Sequence, residues 1–272
     1  AAHAEGVLTT AAGFGSHAEG YGTRAAGQYS HAEGYFTTAS ANYSHAEGYK
    51  TNATALYAHA QGRQNLASGE SSHAQGLFTT ASGDYSTAMG YNTEASGTDS
   101  TAMGVETEAS DSYSTAIGNK TKASGYSSTA MGNQTKASGF SSTAIGYRTT
   151  ASGIYSTAMG WNTTASGEYS TAIGKYNQTT DALFVVGNGT GDEEFRSDAF
   201  VINNDGNIIL NSVNEYNNND TDGLRDLLIN GDGELVRDRS EWKIKNTKIN
   251  ELTDKINKLE NELKLKKFKL KL

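Results

Sequence analysis

SHAEGYGTRAAGQYSHAEGY, residues 16–35, sets Ser, His and Glu within four positions and says it again fourteen residues later. Read as chemistry, it is a hydrolase triad copied along a chain. In a strand, however, successive side chains point to opposite faces, so Ser16 and His17 diverge while His17 and Glu19 share a face. A nucleophile has to sit on its base, and a single reactive serine needs oxyanion donors, which a unit repeated along the chain does not set aside for one copy. The stretch is therefore architecture, and its period decides the fold.

Gly recurs at positions 6, 20, 34, 48, 62, 76, 90, 104, 118, 132, 146, 160 and 174, always fourteen apart. Ala stands two residues before each of them, Thr three after from Thr9 to Thr163 except at Asn65, and Ala five after from Ala11 to Ala165. Such self-similarity marks a solenoid. Alternating residues interrupted twice per unit by turn-formers predict two short strands per coil. Fourteen residues at about 3.3 Å each give a perimeter too small for a three-sided helix, so the sequence predicts a flat, two-sided parallel β-roll. Its thirteen coils, stacked at about 4.8 Å, predict a rod on the order of 60 Å long.

Variation between coils predicts which face meets water. Two and four residues after the Gly the chain varies freely (Lys50, Asn52, Glu106, Glu108, Lys120, Lys122), whereas the intervening Thr and Ala are fixed and are expected inside. On the first strand the fixed Ala and Gly are expected to point inward. The opposite face carries the positions three and one before the Gly, and these fall into two regimes. The first six coils hold His3 and Glu5, His17 and Glu19, His31 and Glu33, His45 and Glu47, His59 and Gln61, and His73 and Gln75. The last seven hold Thr followed by Met89, Met103, Ile117, Met131, Ile145, Met159 and Ile173. A continuous apolar stripe on an outward face signals a partner surface, so this strand is expected to pack against copies of itself around an axis.

Composition agrees with a thin interior: mean hydropathy is -0.58, and only 36% of the 272 residues are hydrophobic. The absence of Cys excludes disulfides and thiolate metal sites. No apolar run reaches the roughly 18 residues that a membrane span takes, and an opening AAHAEG without Met or signal peptide reads as an interior fragment or a processed product. Residues 1–240 carry 12 Lys and Arg against 25 Asp and Glu, net -13, and residues 241–272 carry 10 against 5, net +5. An acidic body repels phosphate backbones, which argues against nucleic acid as a partner.

Past Thr180, residues 181–240 read as a β-rich cap and neck, with two or three apolar strands among Leu183 to Val186, Ala199 to Asn203 and Asn207 to Leu210. GLRDLLI (223–229) is expected to be a short helix and NGDGE (230–234) a tight turn. DTDG at 220–223 has the look of a calcium loop, but the twelfth position counted from Asn218 is Ile229 rather than Glu, so it reads as a turn. From residue 241 the spacing becomes heptad: Trp242, Ile249, Ile256 and Leu263 at one position, Leu252 and Leu259 at the other, a short coiled coil over 241–272. Ile249, Leu252, Ile256, Leu259 and Leu263 are its expected core. Lys245 and Lys266 at core positions leave the strand number open, and 264–272 alternates apolar residues with Lys without deciding between strand, helix and membrane-surface tail.

The later units, as in STAIGYRTTASGIYSTAMG (142–160), resemble the head repeats of trimeric autotransporter adhesins, the YadA-like heads. The SHAEG units resemble the variant found in bacteriophage tail fibres, and LFVVGNGT (183–190) with RSDAFVINNDGNI (196–208) resembles the segment that closes such heads. The likeness covers about residues 1–180. It implies a left-handed parallel β-roll, a homotrimer with a coiled-coil stalk on the threefold axis, and attachment to a cell surface from a virion fibre or a bacterial surface. The sequence shows neither the membrane-anchor barrel of such adhesins nor the self-cleaving chaperone domain of tail fibres.

On this reading the chain is no enzyme and takes no cofactor. The His and Glu/Gln residues form a polar ladder at the trimer axis, either hydrogen-bonded within itself or holding a metal or an anion, and the carboxylates are expected to favour imidazolium. The Met/Ile stripe is interface core. Tyr29, Tyr43, Tyr57, Tyr85, Tyr113, Tyr155 and Tyr169 either stack on a glycan receptor or pack on adjacent coils. Beside the attachment role stands a purely structural spacer whose binding tip lies elsewhere.

Overall fold

The computed structural model describes residues 1–191, 195–210, 227–229, 235–237, 251–253, 255–256 and 258. The chain divides into two units, Ala1–Ile208 and Ile209–Leu272.

The first unit is a parallel β-solenoid of fourteen-residue coils. Each coil lays down a five-residue strand, as His17–Tyr21, and a two-residue strand, as Arg24–Ala25. Each strand pairs in parallel with its equivalent in the next coil, in perfect register: His17 with His31, Ala18 with Ala32, Glu19 with Glu33. The thirteen long strands, with the three strands that follow the last coil, form one sheet of sixteen, and the short strands a second of twelve. The two-sided roll predicted from the period is what the chain builds.

Only small side chains fit between the sheets. Ser16 (2% exposed), Ala18 (0%), Thr23 (1%) and Ala25 (0%) fill one coil, and the same four columns repeat along the unit. This explains the composition: an interior one side chain deep has no room for Leu or Phe, and stability comes from ladder hydrogen bonds and close packing of many small groups. Some of the serines bind back to the turn before them, Ser16 Oγ to Gly13 O at 2.7 Å and Ser30 Oγ to Gly27 O at 2.7 Å, whereas the buried Oγ atoms of Ser72, Ser86, Ser100, Ser142 and Ser156 have no partner in the chain. Asn65, standing where other coils have Thr, uses its amide as an internal peptide: Oδ1 accepts from Thr79 N at 2.9 Å and Nδ2 donates to Gly76 O at 2.8 Å.

Two left-handed residues turn each coil, for example Tyr29 (φ 55°) and Phe36 (φ 52°). For residues other than Gly this conformation costs about 1–2 kcal/mol. It persists because it aims the backbone at the coil before: Tyr29 N donates to Phe14 O at 2.8 Å and Phe36 N to Tyr21 O at 2.8 Å. The repeat glycine has a different reason from the inward position expected of it. Gly90 sits at φ +125°, and a Cβ there would lie 2.0 Å from the carbonyl oxygen of Gly104. The glycine column is fixed by the approach of one coil's backbone to the next.

The solenoid closes by a change of pairing. Phe184–Asn188 continues in parallel on Thr171–Lys175, but Asp198–Ile202 returns antiparallel to it, Val185 opposite Val201, and Ile208–Leu210 follows in the sheet order. Val185 and Val201 are 1% and 3% exposed, and among the described residues they are the aliphatic side chains larger than Ala that are fully enclosed. The buried Asp198 carboxylate accepts from Gln178 N at 2.9 Å and Thr179 N at 2.8 Å, and Arg196 Nη1 donates to Asn162 O and Asn177 O, both at 3.1 Å. Of the two or three strands expected in this segment, three are present.

In the second unit, Leu227–Ile229 is a strand, antiparallel to Leu235–Arg237 with Ile229 opposite Leu235. This corrects the helix expected for GLRDLLI. Two short apolar runs flanking an Asn/Gly/Asp-rich segment are a hairpin pattern, which outweighs the helix propensity of Leu and Arg. Residues 230–234, read as the turn, and 218–226 lie outside the described residues. Residues 251–253, 255–256 and 258 are helical, with Leu252 and Ile256 more than half exposed. Of the expected coiled-coil core, Ile249, Leu259 and Leu263 lie outside the described residues.

Candidate functional site

The outward face of the long-strand sheet carries every residue singled out at positions three and one before the Gly. Alternation about the buried Ala puts both positions of each coil on that face, and in-register pairing turns them into two straight columns. His3, His17, His31, His45, His59 and His73 succeed one another in the ladder, and Glu5, Glu19, Glu33, Glu47, Gln61 and Gln75 run beside them. At the seventh coil Thr87 replaces His73 and Met89 replaces Gln75, and Met103, Ile117, Met131, Ile145, Met159 and Ile173 complete the second column. Met131 and Met159 are 38% and 42% exposed, whereas the Ala residues behind them are fully buried. The structure separates Ser16 from His17 as the alternation requires: the serine lies inside the roll and the imidazole outside.

The imidazoles lean on each other. Ring centroids are 5.0 Å apart between His3 and His17, 4.8 Å between His31 and His45, and 4.7 Å between His45 and His59. Nε2 of His17, His31 and His45 faces Oε2 of Glu19, Glu33 and Glu47 at 3.8, 3.6 and 3.9 Å. These distances are too long for hydrogen bonds, and the Nε2 atoms of His17, His31, His45 and His59 are buried without a hydrogen-bond partner in the chain. The second column does bond along itself: Gln61 Nε2 donates to Glu47 Oε2 and Gln75 Nε2 to Gln61 Oε1, each at 3.0 Å.

Carboxylates do not dominate the imidazoles throughout. Burial, followed by the neighbouring His31, holds His45 below the ordinary histidine value against the pull of Glu47 and Glu33. Burial, then His45 and His73, does the same to His59 against Glu47. At these two positions the pull of Glu toward imidazolium is outweighed, first by burial, which disfavours the charged ring, and then by the neighbouring imidazoles. Among the described residues of one chain, no three His, Asp or Glu side chains gather around a point that would hold a metal ion.

The tyrosines of the turns form ladders of their own. Tyr29, Tyr43 and Tyr57 stack at 5.5 and 5.1 Å with planes 14° and 17° apart, and Tyr155 stacks on Tyr169 at 5.2 Å and 9°. A second ladder, Tyr21, Tyr35 and Tyr49, was not picked out by sequence reasoning, although its fourteen-residue spacing was there to find. A ring covered by neighbours on both faces shows solvent its edge and hydroxyl, and sugars stack on faces. The geometry therefore favours coil-to-coil packing for Tyr43 and Tyr35.

No helix among the described residues is long and apolar enough to cross a membrane. Comparison with curated proteins finds no match to the chain. Four consecutive segments, 67–93, 95–121, 123–149 and 151–177, match the family described as the YadA head domain repeat, two copies to a segment. The match begins inside the fifth coil and spans the passage from the His to the Thr/Met regime, while the earlier SHAEG coils share its period and register without being matched themselves. Residues 67–177 thus match the YadA head domain repeat, and they are set in a parallel β-solenoid whose coils continue upstream in the same register to His3.

Proposed function

We propose that the chain is a non-enzymatic, homotrimeric fibre segment that serves attachment to a cell surface, carried outside the cell on a virion fibre or a bacterial surface. In this reading residues 1–180 are the roll, left-handed as in the family, 181–240 the cap and neck, and 241–272 a coiled-coil stalk. One observation carries it: the column from Met89 to Ile173 is a continuous apolar stripe on a sheet face that nothing else in the described chain covers. Apolar stripes of this length on a soluble fold mark partner surfaces, and the head-repeat match supports three copies of the chain as the partners. The exposure of Leu252 and Ile256 on helical residues supports a stalk that needs neighbouring helices.

Sedimentation equilibrium tests the assembly. A trimer is expected, and Met103→Glu with Ile117→Glu should dissociate it while leaving the strand signal in circular dichroism unchanged, since both side chains lie outside the roll. A wild-type monomer at micromolar concentration overturns the reading. A second reading, a spacer whose binding tip lies elsewhere, is favoured by the inner rings Tyr43 and Tyr35, whose two faces are taken up by neighbouring tyrosines. Glycan-array and cell-binding assays on the intact trimer separate the two: binding supports attachment by this segment, and its absence supports the spacer.

A further inference from the structure

The gap between the two columns of the His half has a definite size. Nε2 and Oε2 stand 3.6–3.9 Å apart in the pairs His17 with Glu19, His31 with Glu33 and His45 with Glu47. All three nitrogens are buried and unpartnered. A zinc-type ion takes imidazole nitrogen at about 2.0–2.1 Å and carboxylate oxygen at about 2.0–2.2 Å, so one ion bound to both would hold them at about this separation across a wide angle.

The carboxylates independently gain from a positive partner. Glu5, Glu19, Glu33 and Glu47 are in-register neighbours, one strand apart. Like charges directly opposite on adjacent strands repel, and among the described residues the only ion-pair partners of Glu19, Glu33 and Glu47 are the imidazoles themselves. A cation in the gap relieves that repulsion and completes the orphaned nitrogens. At the last of the pairs, Gln61 Nε2 fixes the Glu47 carboxylate from the following coil at 3.0 Å, an outer hydrogen bond of the sort that orients metal-binding carboxylates. Beyond it the column turns to carboxamide.

We propose that His17 with Glu19, His31 with Glu33, and His45 with Glu47 form three successive sites for a divalent transition-metal ion of the class that accepts both imidazole and carboxylate, such as cobalt, nickel or zinc. One chain supplies one nitrogen and one oxygen per coil. Three copies meeting on this face supply three of each, enough donors to complete the ion's ligand set. This completion rests on the trimeric assembly proposed above.

The test uses the full chain without a histidine tag, stripped with EDTA and titrated with Co2+ by calorimetry and visible absorption, with sedimentation in parallel. Three Co2+ per trimer, visible bands of ligand-bound cobalt that the stripped protein lacks, and a raised melting temperature are expected. The Glu19→Gln/Glu33→Gln/Glu47→Gln variant should fold, since Gln61 and Gln75 occupy the same column, and should lose about ten-fold or more in affinity. Glu33→Gln alone should leave two tight sites. A wild-type trimer that takes up no more Co2+ than the triple variant overturns the metal sites and leaves the assembly standing. A monomer that binds Co2+ once per coil, with the same dependence on Glu, keeps the nitrogen and oxygen pair and overturns the assembly.

Discussion

Gln61 Nε2 donates to Glu47 Oε2 at 3.0 Å, one coil to the next, at the point where the outward column changes from carboxylate to carboxamide. Gln61→Glu in metal-free protein replaces this bond with a like charge one strand away. The expected loss is about 0.5–1.5 kcal/mol, larger at low salt because exposed charges are screened. Urea unfolding at two ionic strengths measures it, and a variant as stable as wild type at low salt would contradict the repulsion on which the metal proposal leans.

Gly90→Ala should be among the most damaging single changes in the roll. The left-handed backbone at φ +125° and the position of the Gly104 carbonyl, 2.0 Å from where the Cβ would go, leave no side-chain motion that relieves the contact. A cost of at least about 3 kcal/mol is expected, read as a large drop in melting temperature. An alanine tolerated with less than about 1 kcal/mol of loss would mean that the coils have slack along their stacking direction.

Asp198→Ala leaves the N–H groups of Gln178 and Thr179 without their buried acceptor. Hydrogen bonds to a charged group contribute about 1.5–3 kcal/mol each, so the closing segment should loosen while the middle coils stay protected. Hydrogen exchange accelerated at 178–179 and unchanged near Ala102 is the expected pattern. Uniform acceleration would show that the cap and the coils unfold as one.

Tyr43→Ala removes two stacking contacts at once, with Tyr29 and Tyr57. At about 0.5–1.5 kcal/mol per aromatic pair, a loss of roughly 1–2 kcal/mol is expected in thermal melts. No loss of stability together with loss of glycan binding would instead assign the ring to a receptor.

Much of this was legible in the sequence because the repeat reports its own environment. The fixed Ala columns (Ala18, Ala25) and the varied positions (Lys50, Asn52) separate inside from outside without reference to any structure, and alternation alone parted Ser16 from His17. What escaped depends on distances that no pattern carries. The His and Glu columns could be placed on one face, but not the length of the gap between them, nor that stacked imidazoles and burial outweigh the carboxylates at His45 and His59. The reason for Gly90 lies in the next coil rather than in its own. GLRDLLI misled because its residues favour helix locally, while the pairing of Ile229 with Leu235 is decided by a segment further along.

The exact fourteen-residue register has a bearing on how such a chain changes over time. Since each long strand meets its own likeness in the next coil, as Met89 meets Met103, removing or duplicating fourteen residues anywhere between the first coil and the cap rejoins strand to strand with every column intact. Reach is therefore a heritable quantity that can be lengthened or shortened in steps of one strand spacing, about 4.8 Å, without any other residue having to adapt. The His and Met stretches can be resized independently, so the ratio of polar to apolar length along this face is itself open to selection.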